Sequence, residues 1–381
     1  MKISYIHGVC VENDAISNSI RDEIQWLKGQ GGHDVHLYTY ACEFDDLSYS
    51  KVSHLSDVAF DHHFQSSDLV VFHFGVFYPL FDLLAVAPKR AKRLVVFHNI
   101  TPREFVESES RIIIDKSFQQ MSNIQLVDHV ICDSQTNLDV LRRSGIDIPA
   151  GVLPLAVHID ADVPEGKPSH RDGVVRLSFI GRFVRSKGPG ELLEAVKDVL
   201  GLLHSVRLEL NMIGNLSFSD TELLCKIRES IAQLGSNHGD RARINLLGNA
   251  TQQTKHRVLR DADLLVLPTY HEGFCVPIVE AFANGLQVIA YSNSNTPAIS
   301  GGLARLVPTG DVRSLARAIV DASNEITSLA WRGSGAGSYA HYVRRAQDHI
   351  LQYRPEQVKR RFLKFIRDFM VGHNGGFAAP S

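Results

Sequence analysis

The sequence predicts an α/β protein built from two tandem, doubly wound domains. Three observations carry that expectation: a length of 381 residues, short apolar runs alternating with amphipathic stretches, and a polar break near the middle. At roughly 100–200 residues per domain, a chain of this length divides in two. The composition, 44% hydrophobic and 22% charged, is that of a folded globular protein rather than a disordered or fibrous one.

In the first half the apolar runs are Ile3–His7, Val35–Tyr38, Leu69–Phe74, Leu94–His98 and His129–Cys132. Helical patterns over Asn18–Lys28 and Phe118–Asn123 lie between them. The runs are nearly continuous in β-branched and aromatic residues, as parallel strands covered on both faces should be. The stretch from Asp160 to Gly173 then reads as a linker, after which the alternation resumes. Strands are expected over Leu177–Ile180, Leu208–Ile213, Ile244–Leu247, Leu264–Leu267 and Gln287–Ala290. Helices are expected over Glu191–Leu203, Pro277–Asn284 and Val312–Ile326, with Pro277 suited to a first helical position and Gly285 to a stop. Gly333–Gly337 reads as a mobile loop, Glu356–Met370 as a basic amphipathic helix, and Val371–Ser381 as a disordered tail. The expected domains are therefore 1–165 and 172–345, with a C-terminal helix at 355–371 packing back on the first.

A net charge of −2 provides no global field for nucleic acid, so that partner class is set aside. The five cysteines are scattered and never form a CxxC pair, which argues against a disulfide framework or a zinc site and fits a reducing compartment. Met1–Ile6 reads as a strand rather than a signal peptide, and no window approaches the about 18 apolar residues of a membrane span. A cytoplasmic protein is expected.

In doubly wound sheets ligands bind beyond the carboxyl ends of strands, so the loops after strands should carry the chemistry. The strongest is Pro268-Thr269-Tyr270-His271-Glu272-Gly273-Phe274-Cys275-Val276-Pro277-Ile278-Val279-Glu280, between a strand and a helix. A helix N-terminus offers unpaired N–H groups and a partial positive charge to an anion, and Gly273 permits close backbone approach. A simple anion trap gains nothing from Glu272 and Glu280, whereas a nucleotide sugar offers hydroxyls to carboxylates and a diphosphate to N–H groups. The simpler reading makes Glu280 a helix-dipole residue and Glu272 a solvated loop residue. The second element, Gly181-Arg182-Phe183-Val184-Arg185-Ser186-Lys187-Gly188, also joins a strand to a helix. Cations beside a helix N-terminus oppose its dipole unless an anion intervenes; arginine binds phosphate bidentately and lysine as a point charge.

Together, in this order and separation, the two elements resemble the family 4 retaining glycosyltransferases, group 1 of the glycosyl transferases. The shared features are Gly181-Arg182, Lys187-Gly188, and Glu272 and Glu280 with seven residues between them in a Glu-Gly-Phe context; Cys275 stands where that family usually has glycine. Asp128–Ser134, Leu153–His158 and His98-Asn99-Ile100-Thr101-Pro102 resemble first-domain segments of the same family. The loop His7–Ser17 departs from it, keeping only Gly8 of a Gly-Gly pair, with Asn13 and Asp14 left to face an acceptor.

The resemblance implies a GT-B fold, two Rossmann-like domains facing an interdomain cleft. It implies a nucleotide-sugar donor (GDP- or UDP-sugar), a saccharide or lipid-linked acceptor, and retention of configuration, in polysaccharide or lipopolysaccharide biosynthesis. Arg182 and Lys187 would bind the donor diphosphate, Glu272 the sugar near its anomeric carbon, and Glu280 the ribose. Gly273, Phe274 and Cys275 would present backbone N–H groups, and His98 would line the reaction centre. No cofactor and no metal are expected, since the cations already neutralise the diphosphate.

A GT-B epimerase or hydrolase, or a non-catalytic nucleotide-sugar-binding subunit, are the rival readings. A nicotinamide oxidoreductase reading fits poorly, because the first strand is followed by Gly8 alone and not by Gly-x-Gly-x-x-Gly. Asp261-Ala262-Asp263 and the group His62, His63 and His73 are read as structural rather than metal-binding. The basic clusters Lys89–Arg93 and Lys359–Arg361 suit either solvated faces or a peripheral contact with anionic lipid.

Overall fold

The computed structural model of the chain describes residues 1–159, 163, 166–167, 169–203 and 206–372. Part of the expected linker and the tail from 373 onward lie outside the described residues. The chain forms two compact units, one of residues 1–103, 108–156 and those from Tyr353 onward, the other of 104–107 and 157–352.

The first unit contains β1 (Lys2–Ile6), β2 (Val9–Cys10), β3 (Asp34–Thr39), β4 (Ala41–Cys42), β5 (Tyr49–Lys51), β6 (Leu69–Phe74), β7 (Lys92–Phe97), β8 (His129–Cys132) and β9 (Ala150–Val152). Seven of these form a parallel sheet in the order β5-β3-β1-β6-β7-β8-β9, while β2 and β4 pair separately. Its helices are α1 (Ala15–Gly29), α2 (Leu55–Ala59), α3 (His62–Gln65), α4 (Arg111–Gln120) and α5 (Gln135–Arg143). Every residue of β6 and β8 is buried, which is why both read as nearly continuous apolar runs, each with one histidine. The helix expected at Phe118–Asn123 begins earlier, at Arg111, and passes into a 3₁₀ turn at Met121.

The second unit contains α6 (Ser169–Asp172), β10 (Val174–Ile180), α7 (Pro189–Leu202), β11 (Arg207–Ile213), α8 (Thr221–His238), β12 (Ala242–Gly248), α9 (Gln252–Asp261), β13 (Leu264–Leu267), α10 (Val276–Ala283), β14 (Gln287–Tyr291), α11 (Thr296–Ser300), β15 (Arg305–Val307), α12 (Val312–Thr327), α13 (Leu329–Arg332) and α14 (Tyr339–Ile350). Its parallel sheet runs β12-β11-β10-β13-β14-β15. Counted in chain order this is 3-2-1-4-5-6, and the first unit's sheet begins the same way. Winding therefore reverses beside the first strand of each sheet, where a ligand crevice belongs.

Side-chain caps set several helix starts: Asp14 accepts from Ser17 N at 2.9 Å, and Asp220 from Leu223 N at 3.0 Å. Gly333–Gly337 turns the chain between α13 and α14. The last helix, α15 (Pro355–Met370), belongs to the first unit and buries Val358, Phe362, Phe365, Ile366 and Phe369. Phe362 packs on Trp26 of α1, with ring centroids 5.9 Å apart. Among the described residues no helix is long and apolar enough to cross a membrane.

Candidate functional site

The second unit brings together two loops that are about 85 residues apart in sequence. β10 and β13 pair in register, Leu177 beside Leu264 and Ser178 beside Leu265, so the connections leaving their carboxyl ends are neighbours. After β10 the chain passes Gly181 and Arg182, anchors Phe183 in the core, and makes a 3₁₀ turn over Arg185–Lys187. Gly188 then starts α7 with a φ of 66°. A Cβ at Gly188 would lie 2.1 Å from the carbonyl oxygen of Pro268, so glycine lets the two loops touch. Tyr270 N donates to Ser186 O at 2.8 Å, and Thr269 Oγ1 to the same oxygen at 3.2 Å.

That stitching places Lys187 against Glu272. Lys187 Nζ donates to Glu272 Oε1 at 2.6 Å, with the side chains only 21% and 13% exposed. Arg182 is exposed on the same loop as Lys187. The loop after β14 braces this arrangement from the other side. Asn293 Nδ2 donates to Thr269 O at 2.7 Å, and Asn295 Nδ2 to Phe274 O at 2.8 Å. Burial holds His271 down to about 4, so it is neutral here and pairs with Ser294 Oγ.

Helix α10 begins one residue before the expected Pro277, with Cys275 as its N-cap. No side chain caps it, so the anion-attracting end of the helix is left to the loop. Cys275, not Gly273, takes the left-handed conformation, at φ 80°. A non-glycine residue there costs on the order of 1–3 kcal/mol, which accounts physically for the glycine that the related motif carries. Burial drives the Cys275 thiol far above its ordinary range, so it is an inert packing group.

Glu280 points from α10 toward α9. Lys255 Nζ donates to its Oε1 at 2.6 Å, and Oε2 is buried without a hydrogen-bond partner. A cleft of about 280 Å³ opens here, lined by His158, Gln252, Lys255, His256, Glu280 and Asn284 among others. Lys255 did not emerge from the sequence, where it sits in a polar stretch with no motif around it. Asp263, in the Asp-x-Asp motif, is buried at the start of β13. It accepts from Arg176 N at 2.8 Å and Ser169 Oγ at 2.5 Å, a structural role.

His98 belongs to the other unit, just beyond the end of β7. Its Nδ1 is 2.6 Å from Asp133 Oδ2, and its Nε2 is 2.8 Å from His73 Nδ1. His73 Nε2 lies 3.2 Å from Glu23 Oε2, which also accepts from Tyr5 O–H at 3.1 Å. All four side chains of the chain Asp133–His98–His73–Glu23 are at most 6% exposed. His63 hydrogen-bonds Ser4 instead, so the histidines grouped in the sequence go to separate places. Among the described residues no cluster of three or more His, Cys, Asp and Glu is placed to hold a metal.

Residues 175–325, which span both loops of the second unit, match the family model described as "Glycosyl transferases group 1". The match is confined to the second unit, from β10 to α12. Among curated members it is 29% identical over 135 residues to a D-inositol 3-phosphate glycosyltransferase of Corynebacterium jeikeium, covering 35% of this chain and 31% of that one. To the Rhodococcus erythropolis protein of the same name it is 25% identical over 231 residues, covering 57% and 48%. The chain thus spans about a third to a half of the length of these relatives. Among solved structures, a glycosyltransferase from Rickettsia africae superposes with a TM-score of 0.74 at 15% identity, covering 97% of this chain and 98% of that one. Sucrose-phosphate synthase of Thermosynechococcus elongatus gives 0.68 at 17%, covering 97% and 99%. The chain has the GT-B fold, with parallel sheets of seven and six strands.

Proposed function

We propose that the protein transfers a sugar, with retention of configuration and without a metal, from a GDP- or UDP-sugar to a saccharide or lipid-linked acceptor. The observation that carries the reading is the Lys187–Glu272 pair, held beside the uncapped start of α10 at the winding reversal of the second sheet. A nucleoside diphosphate is the leaving group in such a transfer, so negative charge grows on its phosphate as the glycosidic bond breaks. Arg182 and Lys187 supply cations, and the Gly273–Phe274–Cys275 backbone supplies N–H groups, where that charge develops. Glu272 accepts from the sugar hydroxyls, Glu280 from the ribose diol through its unpartnered Oε2, and His98 borders the reacting sugar from the first unit's loop. Work at the cytoplasmic face of a membrane, in polysaccharide or lipopolysaccharide assembly, is the setting this chemistry suits.

A ligand that binds only the native state at 100 times its Kd stabilises it by about 2.7 kcal/mol. For a domain of this size that is a melting-temperature rise of roughly 5–10 °C. GDP, UDP and their sugars are expected to divide cleanly in a thermal-shift screen, with one base giving such a rise. No rise with any of them would overturn the reading. Release of free or epimerised sugar from the stabilising donor, without acceptor, would replace it with the epimerase or hydrolase alternative.

Lys255→Met is expected to weaken binding of the nucleoside diphosphate about tenfold, equal to about 1.4 kcal/mol, with kcat little changed. Lys255 orients Glu280 without reaching the bond that breaks. Calorimetric titration with the free diphosphate measures this; an unchanged Kd would remove Glu280 from the ribose.

A further inference from the structure

The first unit carries a buried chain of ionisable groups that the donor site does not use. It crosses the sheet at the carboxyl ends of four strands. Tyr5 lies on β1, His73 on β6, His98 just past β7 and Asp133 just past β8, with Glu23 packed over them from α1. Four hydrogen bonds join these five residues in series, from Asp133 to Tyr5. Two buried acids end a line of two histidines, so the cluster must hold at least one shared proton to avoid two uncompensated charges.

We infer that Glu23, His73, His98 and Asp133 form one proton-sharing unit, in which Glu23 acts as a positioning residue that sets, through His73, whether His98 is neutral or charged. The inference rests on the reading that His98 borders the reacting sugar. The geometry allows two arrangements. In the first, the Glu23 carboxyl donates to His73 Nε2, His73 Nδ1–H donates to His98 Nε2, and His98 Nδ1–H donates to Asp133. In the second, Glu23 is a carboxylate accepting from His73 Nε2–H, and His98 is an imidazolium donating to both His73 Nδ1 and Asp133.

Passing from one to the other breaks the Glu23 O–H and the His73 Nδ1–H bonds and forms N–H bonds at His73 Nε2 and His98 Nε2. Two protons move along two existing hydrogen bonds, and the four residues keep a total charge of −1. Asp133, Oδ2 to Nδ1, fixes the far end in both.

The electrostatics favour such sharing. Burial raises Glu23 to about 7, into the range where proton gain and loss are both cheap. His73 is held well below its ordinary value by burial and by His98, so it passes a proton without keeping one. Burial opposes charge on His98, but Asp133, Glu23 and Asp14 together outweigh it and raise its affinity for a proton. The other groups around the line are His7 beyond β1, held neutral at about 3 by burial and His73, and Asp22 on α1. From α15 the facing side chain is apolar Val358. A cavity of about 20 Å³, lined by Ser19, Asp22, Glu23, Trp26 and Asp133 among others, reaches both acids. It has room for about one water.

The test uses the full chain with ¹⁵N-labelled histidine. In the wild type, NMR titration is expected to show His98 losing its proton at a higher pH than in Glu23→Gln, because the variant removes a neighbouring negative charge. The midpoint should fall by about one pH unit. If transfer needs charged His98, the alkaline limb of kcat/KM falls by the same amount, with donor KM unchanged. A merely structural Glu23 would lower the melting temperature and leave both midpoints in place. An unmoved His98 midpoint in folded Glu23→Gln therefore overturns the proposal. A moved midpoint with an unmoved rate profile overturns the positioning role. Should Glu23→Gln fail to fold, His73→Gln breaks the relay while keeping a donor and an acceptor, and the same two readouts decide. The NMR arm needs no turnover, so a protein inactive with every donor would refute the transferase reading separately.

Discussion

Replacing Lys187 with alanine is expected to lower the rate of sugar transfer by about 10²–10³, the typical effect of removing one preorganised group aimed at developing charge. Glu272→Ala should lose a comparable factor, because each residue is the other's partner at 2.6 Å. Stability will respond differently from activity. Each single variant leaves one charge half-buried and unpaired, at an expected cost of about 1–2 kcal/mol once solvent screening is allowed for. The double variant Lys187→Met with Glu272→Gln removes both charges together and should recover much of that stability while remaining inactive. Steady-state rates with thermal melts of all four proteins make the comparison. Near-normal turnover in both single variants would remove this pair from the chemistry.

Gly188→Ala is the second large expected effect, and it begins in the backbone. At φ 66° an alanine pays the left-handed penalty of roughly 1–2 kcal/mol, and its methyl group would stand 2.1 Å from the Pro268 carbonyl. That neighbour is backbone and cannot swing aside, so the two loops must separate. A loss of about 3 kcal/mol or more is expected, lowering the unit's melting temperature by roughly 6–12 °C. Because Lys187 immediately precedes this residue, activity should fall further than stability explains. Rates measured well below the melting transition separate the two; a variant with wild-type stability and turnover would show that the loops need not touch.

How much of this was legible in the sequence depended on how locally each feature is encoded. Strands buried on both faces, such as β6, β8 and β13, announce themselves because β-branched, aliphatic and aromatic residues dominate them, with a single histidine in each of β6 and β8. The donor loops were legible because glycine, cations and acids fall at fixed short spacings next to those strands. Helix α8, with 18 residues, was not singled out, since only Leu224, Ile227 and Leu234 of it are buried and its charged remainder blurs the pattern. Lys255 reaches Glu280 across 25 residues, and the His98 network joins positions 25, 35 and 50 apart. No spacing rule encodes such meetings; the His98 network exists because β1, β6, β7 and β8 are adjacent in the sheet. His73 was visible only in a group with His62 and His63, in a chain of eighteen histidines, and nothing there pointed to His98.

Both acids of the proposed donor site already face an ammonium group in the folded chain, Glu272 opposite Lys187 and Glu280 opposite Lys255. The arrival of an anionic donor is then an exchange of partners rather than the stripping of water from bare carboxylates. On the proposed reading, Lys187 turns from Glu272 toward phosphate while Glu272 turns toward a sugar hydroxyl, and Glu280 keeps Lys255 on Oε1 and takes the ribose on Oε2. Recognition of this kind favours a ligand that offers an anion and hydroxyls together, which a sugar without its diphosphate does not.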